Sequence, residues 1–390
     1  EQKWYKIMEY YIKNAPDSIA KAKEYDHSKQ NIFSYKLISD PKKSQVSAIK
    51  MFPHQGIIAA ASAGDQSVYI YNKDFNPMHR IIAGTIVDIQ IKKDTLYLLN
   101  IGNLGPSDLP VGDLSFVPFK ELPTKGFVNT KKIIDSLYRP VKFLEVDNRQ
   151  DFVIAEYGNM LGSLSLYEKG DSGFKKTILI NQPGAIAIQK DDDGLLALMA
   201  QSREAVYRID DIKKIRTIEK LLEFPSVYGS TSIIFKDING DSKKDIIYTN
   251  GDNADLSQIP KFYHGVRIFV NDMGQYKLQN FLPLNGAYQT LVEDFDMDGD
   301  MDMLTLAFFH LENSADQGLI LFENDGKLNF QARTFEFATE GHWICADAAD
   351  MDSDGDIDVA IGSLDTSIGN TMKNIKETAT SWTYLENMTK

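Results

Sequence analysis

The sequence predicts an all-β protein: a seven-bladed β-propeller with calcium-binding loops in its last three blades, preceded by a short helical N-terminal segment. Three observations predict it. Acidic nonapeptides begin at Asp237, Asp294 and Asp350, 57 and 56 residues apart. Apolar, strand-like runs flank each one, and four weaker copies of the same unit lie upstream. Such units cannot bury their faces alone, and antiparallel sheets with short edges close most economically in a ring. The propeller is assigned to residues 31–390 and the helical segment to residues 1–30.

The nonapeptides are "DINGDSKKD", "DFDMDGDMD" and "DMDSDGDID". Calcium takes six to eight oxygens at roughly 2.3–2.6 Å, from carboxylates, carbonyls and water. The first loop offers Asp237, Asn239, Asp241, the carbonyl of Lys243, and Asp245. The second offers Asp294, Asp296, Asp298, the carbonyl of Asp300, and Asp302; the third offers Asp350, Asp352, Asp354, the carbonyl of Asp356, and Asp358. Without a cation these carboxylates repel one another. An EF-hand loop would end in Glu at its twelfth position between helices. Here that position is Tyr248, Thr305 or Ile361, and strand-like runs follow. The alternative is a solvated Asp/Gly turn without metal, common singly but not three times in register.

The four upstream units centre on "VSAIKMFPHQGIIAAASAG", "IVDIQIKKDTLYLLNIG", "KFLEVDNRQDFVIAEYG" and "AIAIQKDDDGLLALMAQ". Their turns, such as Asp191, Asp192, Asp193 and Gly194, are too short to wrap a cation. The last unit lacks a fourth strand, and residues 32–39 are expected to supply it, clasping the two ends of the chain and removing an open edge. Ahead of this, Trp4, Ile7, Met8, Tyr11 and Ile12 form an apolar helical stripe. Asn14, Ala15 and Pro16 stop that helix, and Pro16, Asp17 and Ser18 start a second one. The stripe is expected to pack against the propeller; docking onto a partner is the alternative.

Composition fits a folded chain with a large core: 390 residues, 43% hydrophobic and 25% charged. No apolar run reaches the roughly 18 residues of a membrane helix. A net charge of −13 argues against nucleic acid as a partner. The single cysteine, Cys345, excludes an intrachain disulfide, a CxxC site and CxxCH haem attachment, and reads as a buried inert thiol. Starting at Glu1 without a signal pattern, the chain reads as a mature or trimmed product, with any signal or lipid-bearing segment upstream. Calcium sites of micromolar to millimolar affinity place it outside the cytosol, in the cell envelope or secreted.

The nonapeptide followed by an aliphatic pair resembles the FG-GAP, or VCBS-type, repeat of integrin α-subunit propellers and many secreted bacterial proteins. "GNLGPSD", "AEYGNMLGSLSLYE", "AQSREAVY", "YGSTSIIFKDINGD", "YTNGDNAD" and "YHGVRIF" are similar to a bacterial group of propellers that sometimes follow a cytochrome c module. In that group a "W..I..YY...AP" segment joins the modules, matched here by Trp4, Ile7, Tyr10, Tyr11, Ala15 and Pro16. The absence of CxxCH means that electron transfer is not carried over. The resemblance implies calcium loops that rigidify one face, with ligands engaging the other.

On that other face, the loops between second and third strands carry Asp65; Asn103, Ser107 and Asp108; Glu156; Gln201 and Glu204; Asn250, Asp252, Asn253, Asp255 and His264; His310 and Glu312; and Asp365. The segment "NGDNADLSQIPKFYHG" is the longest insertion, and long loops on rigid scaffolds often bind. Asp252, Asp255 and His264 could hold a ligand or metal there; self-satisfied loop chemistry is the alternative. The leading functional expectation is a non-enzymatic, calcium-stabilised interaction module, an accessory or lipoprotein subunit of an extracytoplasmic or outer-membrane assembly with other envelope or secreted proteins as partners. The alternative is glycan binding or polysaccharide cleavage, with Glu156, Glu204 or Asp252 as acid and base and Tyr157 or Trp343 stacking sugars. A redox accessory to a separate cytochrome is implied only by the family neighbours.

Overall fold

Each predicted unit folds as an antiparallel sheet of at least four strands, and the seven sheets form a closed ring. The structure is a computed structural model and describes residues 2–14, 25, 28–39, 45–122, 126–146, 150–192, 194–214, 217–252, 259–310, 312–364 and 380–390. After helix α1 (Gln2–Asn14) comes β1 (Phe33–Ser39). Blade 1 is β2 (Val46–Phe52), β3 (Ile57–Ser62), β4 (Ser67–Asn72) and β5 (Pro77–Ile82). Blade 2 is β6 (Ile86–Lys92), β7 (Thr95–Asn100), β8 (Gly112–Pro118) and β10 (Lys131–Leu137), with β9 (Phe127–Asn129) interposed. Blade 3 is β11 (Pro140–Glu145), β12 (Phe152–Glu156), β13 (Ser163–Gly170) and β14 (Gly173–Ile180). Blade 4 is β15 (Ala185–Lys190), β16 (Gly194–Met199), β17 (Ala205–Asp210) and β18 (Thr217–Glu223). Blade 5 is β19 (Ser230–Lys236), β20 (Asp245–Asn250), β21 (Gly265–Asp272) and β22 (Gln275–Pro283). Blade 6 is β23 (Gln289–Glu293), β24 (Asp302–Leu306), β25 (Leu319–Asn324) and β26 (Phe330–Thr334). Blade 7 is β27 (Trp343–Ala349), β28 (Asp358–Ser363), β29 (Thr380–Asn387) and, from the other end of the chain, β1.

Burial follows position in the blade. The second strands are apolar on both faces because each sheet is packed between two others, so β3, β16, β20 and β28 are buried throughout. Outer strands such as β18 are largely exposed. Between blades 6 and 7 lie Phe295, Leu304, Leu321, Phe335, Phe337, Trp343, Val359 and Leu385. The innermost strands are also tied sideways by polar side chains. Lys50 pairs with Asp347 at 2.5 Å from blade 1 to blade 7, Asp88 with Lys142 at 2.9 Å from blade 2 to blade 3, and Lys236 with Glu293 at 2.6 Å from blade 5 to blade 6.

Closure is as expected: β1 pairs antiparallel with β29, Phe33 opposite Asn387 through Ile38 opposite Trp382. Two features were not anticipated. The chain leaves blade 2 so that β9 can run parallel to β5 of blade 1. Residues 28–30 strap onto blade 6, with Gln30 N–H on the Thr334 carbonyl at 3.0 Å, and Tyr25 meets Phe322 edge-on at 5.3 Å. The helical stripe corrects an expectation, since Trp4 (71%), Met8 (53%) and Ile12 (75%) are exposed instead of packed on the propeller. The second helix expected from Pro16, Asp17 and Ser18 lies outside the described residues, as do Ala15 and Asp193. Cys345 is a free thiol that burial pushes up to about 12.

Candidate metal centre

The three acidic loops join the first and second strands of blades 5, 6 and 7, so they share one face of the ring. Each needs left-handed backbone at its fourth and sixth positions: Gly240 and Ser242, Met297 and Gly299, Ser353 and Gly355. A glycine occupies one of the two each time, which lowers the cost of a turn that aims several side chains inward.

The ninth-position carboxylates, Asp245, Asp302 and Asp358, are fully buried and act as clamps. One oxygen accepts the second-position N–H, from Ile238 (3.2 Å), Phe295 (3.1 Å) and Met351 (3.1 Å). The other accepts an N–H from the end of the third strand, from Asn271 (2.8 Å), Asn324 (2.9 Å) and Asn387 (3.0 Å). The side-chain amides of the same asparagines bind carbonyls of the loop, Lys244, Met301 and Ile357. Sequence reasoning missed these asparagines, although they recur in "FVND", "FEND" and "LENM".

Two of the loops fit a hard cation better than the third. Oxygens of Asp294, Asp296 and Asp302 lie within 4.8 Å of one another, as do those of Asp350, Asp352 and Asp354. Buried oxygens of Asp294, Asp300 and Asp350, and both oxygens of Asp356, have no hydrogen-bond partner. Asp356 is only 1% exposed, and a buried carboxylate left without donors is costly unless a cation meets it. Burial first, then neighbouring charges, push Asp300 and Asp356 up to about 6. Burial lifts Asp302 to about 7, against the lowering effect of the Asn324 N–H. A divalent ion would reverse this electrostatic penalty. In the blade 5 loop, by contrast, Asp237 already accepts N–H groups of Asn239, Gly240, Asp241 and Ser242, and Lys243 reaches Asp241 at 3.4 Å.

Residues 294–361 match the FG-GAP-like repeat. The match spans both loops with partnerless buried oxygens and stops short of the blade 5 loop. No curated protein matches the chain in sequence. The fold is similar to a catalytically inactive virginiamycin B lyase from Staphylococcus aureus with quinupristin, at 10% identity, TM-score 0.59, covering 90% of this chain and 99% of that one. It is also similar to the Cps50 (Swd1) β-propeller domain of Myceliophteria thermophila, at 12% identity, TM-score 0.56, covering 91% and 99%. Hydrazine synthase of Kuenenia stuttgartiensis is similar over 77% of this chain and 79% of that one, at 14% identity and TM-score 0.52. At these identities the likeness is of fold alone.

On the face opposite the FG-GAP-like loops, several expected ligand residues are committed elsewhere. Glu156 is 0% exposed and accepts from Tyr138 N–H (3.0 Å), Tyr167 (2.8 Å) and Lys176 (2.5 Å). Glu204 is buried on the N–H groups of Ser202 and Ser230. Asn250 bridges the Tyr228 and Tyr263 carbonyls and Arg267, and His264 is buried with Nδ1 accepting from Gly286 N–H at 3.4 Å. Asp65 pairs with Tyr69 and Arg80. Trp343 is buried with its indole N–H on the Ala338 carbonyl, so it stacks no sugar. Asn253, Asp255 and Asp365 lie outside the described residues.

What remains half-exposed there is a cluster that sequence reasoning named only in part. Asp252 lies close enough to Tyr157 and Tyr288 to help burial raise both phenols, Tyr157 to about 12. Gln201 reaches the Gly158 carbonyl at 3.5 Å, and the His310 and His342 rings sit 5.1 Å apart. Glu312 begins a short 3-10 turn, Glu312–Gln317. Two loops of blades 2 and 3 are locked together. Asp108 accepts N–H groups of Asn159, Met160 and Leu161 at 2.7–3.2 Å, and Arg139 donates to the carbonyls of Asn103, Leu104 and Gly158. Asn103 and Ser107 bond across the first of these loops at 3.2 Å. Leu104, Leu109, Val111, Met160 and Leu161 stand exposed on the platform so formed.

Proposed function

We propose that this chain is a non-enzymatic, calcium-stabilised interaction module that works outside the cytoplasm as an accessory subunit of an envelope assembly. The ions rigidify blades 6 and 7, more weakly blade 5, and a protein partner meets the opposite face. The observation that carries the reading is the blade 2–3 platform. Five large apolar side chains are exposed on loops whose polar groups are already cross-linked by Asp108 and Arg139. Exposed apolar clusters mark interaction sites, and preordered loops lose little freedom on binding.

The partnerless oxygens of Asp294, Asp300, Asp350 and Asp356 support calcium as the ion, since all donors are hard oxygens. Calcium of that affinity range is most useful outside the cytosol. Among the described residues no helix is long and apolar enough to cross a membrane, which is compatible with a peripheral or anchored subunit. Of the carboxylates that glycan hydrolysis would use, Glu156 and Glu204 are held by interior hydrogen bonds and Asp252 alone stays half-exposed, which supports binding over catalysis. The test is site-specific photocrosslinking in the native envelope, from Met160 on the platform and from Met273 on the calcium-loop face, both exposed. The reading expects one stoichiometric protein companion from Met160 and none from Met273. Equal capture from both, or none from Met160, would refute it.

A further inference from the structure

The asparagines that end the third strands of blades 5, 6 and 7 look equivalent, but one reaches further than the others. Among the described residues, the side-chain amides of Asn271 and Asn324 donate within their own loops. Asn387, 3% exposed, donates to Ile357 of its own loop at 3.2 Å and also to the carbonyl of Phe295 in the blade 6 loop at 2.8 Å. Its backbone N–H holds Asp358 at 3.0 Å, while Phe295 N–H holds Asp302 at 3.1 Å. The Thr389 hydroxyl donates a second bond to the Phe295 carbonyl at 3.3 Å, beside that of the Asn387 amide. One buried amide therefore joins the clamp carboxylates of two adjacent cation loops through a single intervening residue. Asn387 is also the last residue of β29, the strand that pairs with β1 to close the ring.

We propose that the blade 6 and blade 7 loops bind calcium as a coupled pair, with Asn387 as the positioning residue that links them; this rests on the calcium reading above. Ordering of one loop fixes Phe295 or Asp358, and through Asn387 lowers the conformational freedom that the other must lose. Shared ordering of this kind gives positive cooperativity without a large structural change. By linkage the effect is reciprocal. The blade 5 loop, whose Asn271 lacks the bridging bond, has no such amide link to its neighbour's clamp; it meets blade 6 through the Lys236–Glu293 pair ahead of the two loops.

The test is calcium titration calorimetry on the full chain. Asp296→Asn with Asp298→Asn disables the blade 6 loop, and the affinity of the blade 7 loop is read with and without Asn387→Ala. The proposal expects disabling blade 6 to weaken blade 7 about tenfold, within the usual range for coupled sites. In the Asn387→Ala background the same change should shift it less than twofold. Thr389→Val, which removes only the hydroxyl bond, serves if Asn387→Ala does not fold, and should reduce the coupling in the same direction. Unchanged blade 7 affinity after disabling blade 6 overturns the coupling and leaves the calcium reading intact. Full coupling persisting without the Asn387 amide and Thr389 hydroxyl overturns their role. No saturable binding by the unaltered chain overturns the calcium reading itself.

Discussion

Removing a metal ligand and removing a clamp should differ in their dependence on calcium. Asp354 is exposed and accepts one N–H, that of Asp356 at 3.1 Å; its charge also raises Asp356. In a chelator, Asp354→Ala loses one exposed hydrogen bond and relieves a repulsion, for a net change of about 0–1 kcal/mol. In calcium at a hundred times Kd, loss of the ion removes about 2.7 kcal/mol. With an unfolding entropy of about 2.1 cal/mol/K per residue over 390 residues, that is a fall of about 3 °C in Tm. Asp358→Ala is different because its two oxygens hold buried N–H groups of Met351 and Asn387. Leaving both unsatisfied costs about 2–6 kcal/mol, or about 2–7 °C, already in chelator, and loss of the ion that Asp358 would also ligate adds to this in calcium. Scanning calorimetry of both variants in EDTA and in millimolar calcium reads the difference. Equal losses for Asp354→Ala under the two conditions would refute metal ligation by this loop.

Glu156→Ala should destabilise the fold by about 2–6 kcal/mol, because it leaves the Tyr138 N–H and the Tyr167 hydroxyl unsatisfied, while leaving calcium affinity unchanged by calorimetry. Burial, then the charge of His310, holds His342 down at about 4, so the unfolded chain takes up this proton first as pH falls. The His342 contribution to stability should therefore fall between pH 6.5 and 4, by about 3 kcal/mol at the acid end, opposite in sign to the raised Asp300, Asp302 and Asp356, and the difference between the unaltered chain and His342→Gln in urea titrations should show it. Asp108→Ala should speed hydrogen exchange about tenfold at residues 159–161, where it holds three N–H groups, without altering Tm increments from calcium. Asn387 should carry no glycan in the folded protein despite its "NMT" context, as intact mass after secretion would verify, because its amide is buried on two carbonyls.

The ring and its acidic loops were legible because both rest on local, periodic signals. Runs such as "IIAAAS" and "DIIYTN" are apolar on both faces, which only an inner strand of a packed blade tolerates. Aspartates at alternate positions with a glycine fixed the loops. The asparagine clamps were also present, in "FVND", "FEND" and "LENM", but their meaning needed strand register. Glu156 shows why the opposite face was read less well. It ends β12, where a shift of one residue decides whether a side chain enters the blade or the mouth, and sequence does not fix that register. The departure of β9 to blade 1 and the Asp108–Arg139 lock join segments that no repeat pattern connects. The exposed stripe of α1 follows the expected helical periodicity, but periodicity does not say what the stripe meets.

The most direct measurement is the number of calcium ions per chain by native mass spectrometry after dialysis at low micromolar free calcium. The account predicts two ions retained, at the Asp294 and Asp350 loops, and a third only as calcium rises, at the Asp237 loop with its oxygens already held by backbone N–H groups. Retention of none, or two ions that survive Asp296→Asn and Asp354→Ala together, would contradict it.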